Sequence, residues 1–412
     1  MAGRSENELL QRLAALPAAH GLLEALGDAD GVYLVGGAVR DLLRGGAPTD
    51  LDLVADRDIA ALVGELGSRT LAPVRVHDRF GTATVILDAG RFDLARARRE
   101  SYTHPGALPD VEPAPIEEDL LRRDFTVNAL ALGLGGERRG ELVTVPDALD
   151  DLDAGTLRVL HDRSFSDDPT RLVRLARYGG RLGFEPDGHT AALARQAIAE
   201  GALSTVSGPR LGAELRLLAG EPDSHGALAA LQRYGLAEAM IPGLSSPDPG
   251  VLERALKLLP ADGDRSALVL AAAALGVAPA QLRVTLEALA FAAGPRDTIL
   301  ASVSRAPALA QQLSVAQRPS EIADTVAGAP VELVALAGAL GDAPAASAAH
   351  RWLGELRHVG LEIDGDDLLA AGVVPGPELG AGLRAALAAR LDGRAHGRDR
   401  QLAEALRVAR GA

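Results

Sequence analysis

The spacing of hydrophobic residues changes once along this chain, near residue 156, and that change limits the fold more than any other feature. Before it, from residue 31, short β-branched runs ("GVYLV", "LDLV", "TATVIL", "ELVTV") alternate with stretches of helical spacing, the pattern of a mixed α/β layer. After it almost everything reads as Ala- and Leu-rich helix, punctuated by Gly and Pro clusters such as "IPGLSSPDPG" and "GVVPGPELG". At 412 residues the chain exceeds one ordinary core, so the change marks a boundary between separately built parts.

Composition then removes whole classes of function. Apolar residues make up 47% and charged residues 24%, a folded rather than a disordered balance. There is no cysteine, which excludes a disulfide framework and any thiolate ligand or nucleophile and fits a reducing cytoplasm. The opening "MAGRSENELLQRLAALP" lacks the apolar block of a signal peptide. The most apolar run, "ALVLAAAALGVA" at 267–278, is too short to span a bilayer, so no membrane partner is expected. A net charge of −14 argues against a surface that is basic all over, although arginines crowd "RFDLARARRE", "EEDLLRRDF" and the stretch from Arg384 to Arg410. With 3% aromatic residues there are few platforms for stacking bases, so any nucleic acid would be read by backbone and shape.

The chemistry concentrates in "YLVGGAVRDLLRGGAPTDLDLV", residues 33–54. "GVYLV" reads as a strand, Gly36-Gly37 as its turn, "AVRDLLR" as a helix closed by Gly45-Gly46, and "DLDLV" as a second strand. A glycine pair lets backbone N–H groups approach an anion at a helix start. No Gly-Lys-Ser/Thr and no Gly-x-Gly-x-x-Gly follow, which excludes a Walker loop and a dinucleotide fingerprint. On a strand Asp50 and Asp52 share one face while Leu51 and Leu53 take the other. Two adjacent carboxylates repel unless a cation sits between them, which outlines a magnesium site. The same acids also fit a solvated edge strand.

The order strand, Gly-Gly, helix, strand, Asp-x-Asp resembles the DNA polymerase β-like nucleotidyltransferases, and "VGGAVRDLL" followed by "TDLDLV" resembles the class II CCA-adding tRNA nucleotidyltransferases and bacterial poly(A) polymerases. Further family motifs follow in register over residues 31–220: "FDLARARRE", "EEDLLRRDFTVNALAL", "DDLDAGTLRVLH", "DDPTRLVRLARYGGRLGF" and "GPRLGAELRLL". The resemblance implies an α/β catalytic head of the polymerase β-like palm type (residues 1–155), a helical neck (156–220) and a helical body and tail that hold RNA (221–412). It implies transfer of CMP and AMP from CTP and ATP to the 3′ end of tRNA. Asp50 and Asp52 would hold two magnesium ions, with Asp93 as a third carboxylate, unless Asp93 is a surface acid paired with nearby arginines.

Gly36 and Gly37 with Arg40 would meet the triphosphate, whereas Asp41, an acid so near phosphate, would be structural. Arg123 would touch phosphate or sugar. Asp124 and Asn128 would bind ribose hydroxyls, or else Asp124 would cap a helix formed by "FTVNALAL". On the helix expected for "DDPTRLVRLARYGGR", Asp168 and Arg171 would share a face and read the edge of the base, with Arg174, Arg177 and Arg181 continuing a cationic stripe. Asp167 stands where the family usually has Glu. Arg384, Arg390, Arg394, Arg398 and Arg400 would approach the RNA backbone. Rival expectations are a poly(A) polymerase, a CC-only or A-only enzyme, a catalytically silent RNA-binding protein and, from His77-Asp78 and His161-Asp162, a phosphohydrolase.

Overall fold

The computed structural model describes residues 6–69, 74–77, 82–87 and 90–411. It divides into two compact units, Met1–Ser207 and Gly208–Ala412. The first unit contains β1 (Val32–Val35), β2 (Leu53–Ala55), β3 (Val74–His77), β4 (Thr82–Leu87), β5 (Gly90–Arg96), β6 (Arg98–Ser101), β7 (Asp110–Pro113), β8 (Leu130–Gly133) and β9 (Leu142–Thr144). Seven of these form one mixed sheet in the order β3-β4-β5-β2-β1-β8-β9, and β6 pairs with β7 as a separate hairpin. All four residues of β1 are buried, as a short continuous apolar run requires. It pairs antiparallel on both sides, with Leu34 opposite Leu53 of β2 and Leu132 of β8. β2 runs parallel to β5 with Leu53 opposite Leu94.

The sequence places "GVYLV", "TATVIL" and "ELVTV" correctly as β1, β4 and β9. It errs at "DLDLV": the strand starts at Leu53, and Asp50 and Asp52 precede it. Their alternation survives, with Leu51 and Leu53 buried and both acids facing solvent. The reason is that the Val35 N–H donates to the Asp52 carbonyl at 3.0 Å, which extends the pairing one residue beyond the strand. A second difference lies in "FTVNALAL", which is a 3₁₀ turn at Thr126–Asn128 leading into β8 rather than a helix. Pairing with β1 and burial of all four β8 residues override its local helical spacing.

Among the described residues, the second unit is built from helices alone. Its long helix Ala293–Val315 packs against Val331–Leu340, and near the C-terminus Pro377–Leu391 packs with Arg398–Ala409 around Leu368, Ala386 and Ala405. Helix Thr170–Leu182 lies in the first unit and helix Gly208–Gly220 in the second, so the segment expected as one neck is divided between them. Among the described residues no helix is long and apolar enough to cross a membrane.

Candidate active site

Asp52 is common to two cavities. One, of about 500 Å³, is walled by Gly37, Arg40, Asp50, Arg174, Arg177 and Tyr178. The other, of about 380 Å³, is walled by Asp93, Thr84, Arg98, Arg122 and Arg123. Both fall in the size range of small-molecule sites, about 300–1,000 Å³. The parallel register of β2 and β5 sets Asp52, one residue before β2, beside Asp93 on β5. Thr84 on the adjoining β4 donates its hydroxyl to Asp93 at 2.8 Å and fixes that carboxylate. Surrounding protein, then the charge of Asp50 and, more weakly, that of Asp93 push the Asp52 carboxyl above its ordinary pKa, while Arg123 opposes them. Three carboxylates supply the hard oxygen ligands that magnesium takes, and a cation would relieve their repulsion, so the donor set fits that ion. The set is open: among the described residues no three acidic or histidine side chains already converge closely enough to hold a metal.

The turn after β1 needs glycine at its first position. Gly36 has φ +70°, and a Cβ there would stand 3.0 Å from Nη1 of Arg123. Gly37 begins the helix Gly37–Leu43. Arg40, on that helix, is 1% exposed and donates to Asn128 Oδ1 at 2.6 Å and, through Nε, to Asp41 Oδ1 at 2.9 Å. Asp41 also accepts from Arg181 at 3.4 Å, so its charge is met on both oxygens, as a structural acid beside an anion site needs.

Asp124 and Asn128 stand behind the cavity wall. Asp124 accepts from the Phe125 N–H at 2.8 Å, from Asn128 Nδ2 at 3.0 Å, and from Arg174 Nε and Nη2 at 2.9 and 2.6 Å. Burial works to raise its pKa, but Arg174 and the Asn128 hydrogen bond outweigh that and hold it at about 2. Both polar ends of Asn128 are engaged by Arg40 and Asp124. Asn128 keeps a second N–H and a second lone pair beyond these two bonds.

Helix Thr170–Leu182 carries the expected stripe, graded from buried to solvated: Arg171 is 5% and Arg177 8% exposed, Arg174 is half-buried and Arg181 exposed. Tyr178 is the residue that sequence reading missed. The guanidiniums of Arg177, Arg174 and Arg40 lie 5.1, 5.6 and 5.7 Å from its ring centroid, and its hydroxyl lies within hydrogen-bonding distance of Arg174 and Arg177. Its position, four residues after Arg174 on the stripe, was the available signal.

Asp168 requires a correction. It lies in the turn between helices Ser164–Asp167 and Thr170–Leu182, not on a helix face with Arg171. Pro169 explains the break, because the residue before a proline is driven out of helical geometry. The Asp168 carboxylate instead accepts from the Thr170 N–H at 3.1 Å and hydroxyl at 2.7 Å. Arg171 donates to Ser164 Oγ at 2.7 Å and to the Arg122 carbonyl at 2.6 Å. It lines a third cavity, of about 280 Å³, with Tyr102, His161 and Asp167. Asp167 pairs with Arg163 at 2.9 Å.

The C-terminal arginines fall into two sets. Arg390 and Arg398 pair with Glu362 and Asp367, just before and in helix Gly365–Ala370, and so tie neighbouring segments together, while Arg394 pairs with Asp392; Arg394 and Arg398 remain exposed. Arg384 and Arg400 are exposed. For the phosphohydrolase alternative, Asp78 lies outside the described residues, and Asp162 accepts from His189 at 2.8 Å in an exposed pair.

A family model described as the poly A polymerase head domain matches residues 32–158. An A-adding tRNA nucleotidyltransferase of Geobacter sulfurreducens is 40% identical over 214 residues, covering 52% of this chain and 24% of that protein. A CC-adding tRNA nucleotidyltransferase of Deinococcus radiodurans is 43% identical over 212 residues, covering 51% and 55%. The chain thus spans between a quarter and about half the length of these relatives. A CCA-adding enzyme of Limosilactobacillus fermentum is 30% identical over 362 residues, covering 85% of this chain and 86% of that protein. Among solved structures, an apo CCA-adding enzyme is 30% identical with a TM-score of 0.77 over 93% of this chain and 94% of that one. The Thermotoga maritima CCA-adding enzyme complexed with tRNA is 28% identical with a TM-score of 0.71 over 96% and 97%.

Proposed function

Because the chain belongs to the family of CCA-adding tRNA nucleotidyltransferases and poly(A) polymerases, we propose that it adds CMP and AMP from CTP and ATP to the 3′ end of tRNA, releasing pyrophosphate. The observation that carries this reading is the placing of Asp52 between two cavities, with Asp50 on one side and Asp93 on the other. In-line transfer needs such a shared wall, since the attacking hydroxyl approaches and the pyrophosphate departs on opposite sides of one phosphorus.

Asp50, Asp52 and Asp93 would hold two magnesium ions. When bound, these ions lower the pKa of the attacking hydroxyl and neutralise charge on the triphosphate. Arg40, Arg174 and Arg177, fixed around Tyr178, offer a cationic wall for phosphate. Arg171 has five N–H donors and uses two groups on protein acceptors, leaving others for a base edge. Asp168, in the turn three residues before Arg171, would accept from the exocyclic amine that cytosine and adenine share, beside the bonds it takes from Thr170. Arg384 and Arg400 would contribute to RNA binding.

Addition of only CC or only A is the second reading, favoured by the higher identity to the CC-adding and A-adding relatives than to the CCA-adding one. Purified protein with magnesium is incubated with tRNA transcripts ending before C, after C and after CC, each with one NTP at a time, beside Asp52→Asn. Full addition extends the first two with CTP and the third with ATP, and the variant extends none. No extension of any transcript by the wild type would refute nucleotide addition.

A further inference from the structure

Asp119 has no exposed surface and lines none of the three cavities described above, yet it holds Arg122, which lines two of them, and Arg123, which lines one. Its Oδ1 accepts from Arg122 Nε at 2.9 Å, from Arg122 Nη2 at 2.7 Å and from the Arg98 N–H at 3.2 Å. Its Oδ2 accepts from Arg123 Nη2 at 2.9 Å. Arg122 and Arg123 follow Asp119 by three and four residues at the end of helix Ile116–Leu121, so both guanidiniums fold back over the same turn. The Arg98 contact ties this turn to the strand run that carries Asp93 five residues earlier. Glu100, itself enclosed, takes the other side of Arg122 at 3.0 Å but does not touch Arg123. Asp119 is thus the carboxylate that fixes Arg123.

Arg123 needs fixing. It lines the cavity of Asp52 and Asp93, close enough for its charge to act on Asp52. Three nearby carboxylates attract it, and a guanidinium closed onto them would take the place of a cation and of the triphosphate. On the opposite side the absence of a side chain at Gly36 leaves room for Nη1. The Nε of Arg123 is buried without an acceptor, so the protein does not saturate this guanidinium. Burial works to raise the Asp119 pKa, and the charges of Arg122 and Arg123 outweigh it, so the carboxylate stays ionised and the hold persists.

We infer that Asp119 is a positioning residue for nucleotide binding: its grip on Arg123 presents that guanidinium to the nucleotide and keeps it from pairing with Asp52 and Asp93. The inference rests on the proposed nucleotidyl transfer and concerns a residue outside the site itself.

The test is a double-mutant cycle on CTP affinity, measured by calorimetry on the full chain in magnesium, with melting temperatures in parallel. Asp119→Asn is expected to weaken CTP binding about ten-fold, within the range for directly coupled residues. Arg123→Ala weakens it as well, and the double variant binds no more weakly than Arg123→Ala alone. Where Asp119→Asn unfolds, Asp119→Glu, which keeps the charge and displaces it by one methylene, carries the same cycle. Wild-type CTP affinity in the Asp119 variant, or independent losses that multiply in the double variant, would overturn the inference and leave the proposed function standing. Failure of the wild type to bind either CTP or ATP would overturn both.

Discussion

Replacing Asp124 with Asn removes one negative charge from a point where four N–H donors converge, two of them from Arg174. In the folded protein this carboxyl titrates at about 2 against an ordinary 3.8. A pKa depressed by folding stabilises the fold fully above the ordinary value, and that contribution is lost as pH falls through the folded value. The difference corresponds to about 2 to 3 kcal/mol. Asn keeps an oxygen for the Phe125 N–H but leaves the half-buried Arg174 against a neutral group. The expected loss at pH 7 is therefore about 2 to 4 kcal/mol. The gap between wild type and variant should narrow below pH 4, with about half of the charge contribution left at pH 3. The two units need not unfold together, so a global signal would mix them. Pulsed hydrogen exchange on peptides covering β1 and β8, across urea series at pH 7, 4 and 3, reads the first unit alone. A gap that stays constant over this range would refute the argument that Asp124 acts through the charge of Arg174.

Gly36→Ala and Gly45→Ala both force a side chain into left-handed backbone, and each should lower stability by about 1–3 kcal/mol in urea titration. Only Gly36→Ala should also weaken CTP binding, because a Cβ at Gly45 meets nothing within 4 Å while one at Gly36 meets Arg123. Asp168→Ala should reduce discrimination against UTP and GTP by about 1–3 kcal/mol, and Arg171→Ala should depress CTP and ATP use together, read as kcat/KM for each NTP. Neutralising Arg384 and Arg400 together should flatten the salt dependence of tRNA binding without changing the melting temperature, whereas neutralising Arg398 should lower the melting temperature.

What the sequence made legible was periodicity and motif. β1 and β4 were visible because their apolar or β-branched runs are short and bounded by turn residues. The alternation of Asp50, Leu51, Asp52 and Leu53 predicted which side chains face solvent, although the strand itself starts later. Where reading failed, contacts distant in sequence decided the outcome. β8 is a strand because β1 lies beside it, 98 residues away at the Leu34–Leu132 pair, and no local pattern reports that neighbour. Arg390 and Arg398 look like free cations in sequence, but Glu362 and Asp367, 28 and 31 residues away, pair with them once the helices pack. Arg40 and Asn128 are joined by a hydrogen bond across 88 residues, which turns two motif residues into one buried unit. For Tyr178 the spacing from Arg174 was a local signal, but the third guanidinium on its ring, that of Arg40, comes from another helix and gave none.

The division between Ser207 and Gly208 leaves helix Thr170–Leu182 in the unit that holds the acids, and the basic helices of the C-terminus in the other. In the proposed reading, the choice of letter and the hold on RNA are thus inherited on different lengths of chain. On that reading, drift in the second length would alter which RNAs are retained and how long they stay, and a change in the alphabet of addition would be recorded upstream of residue 208.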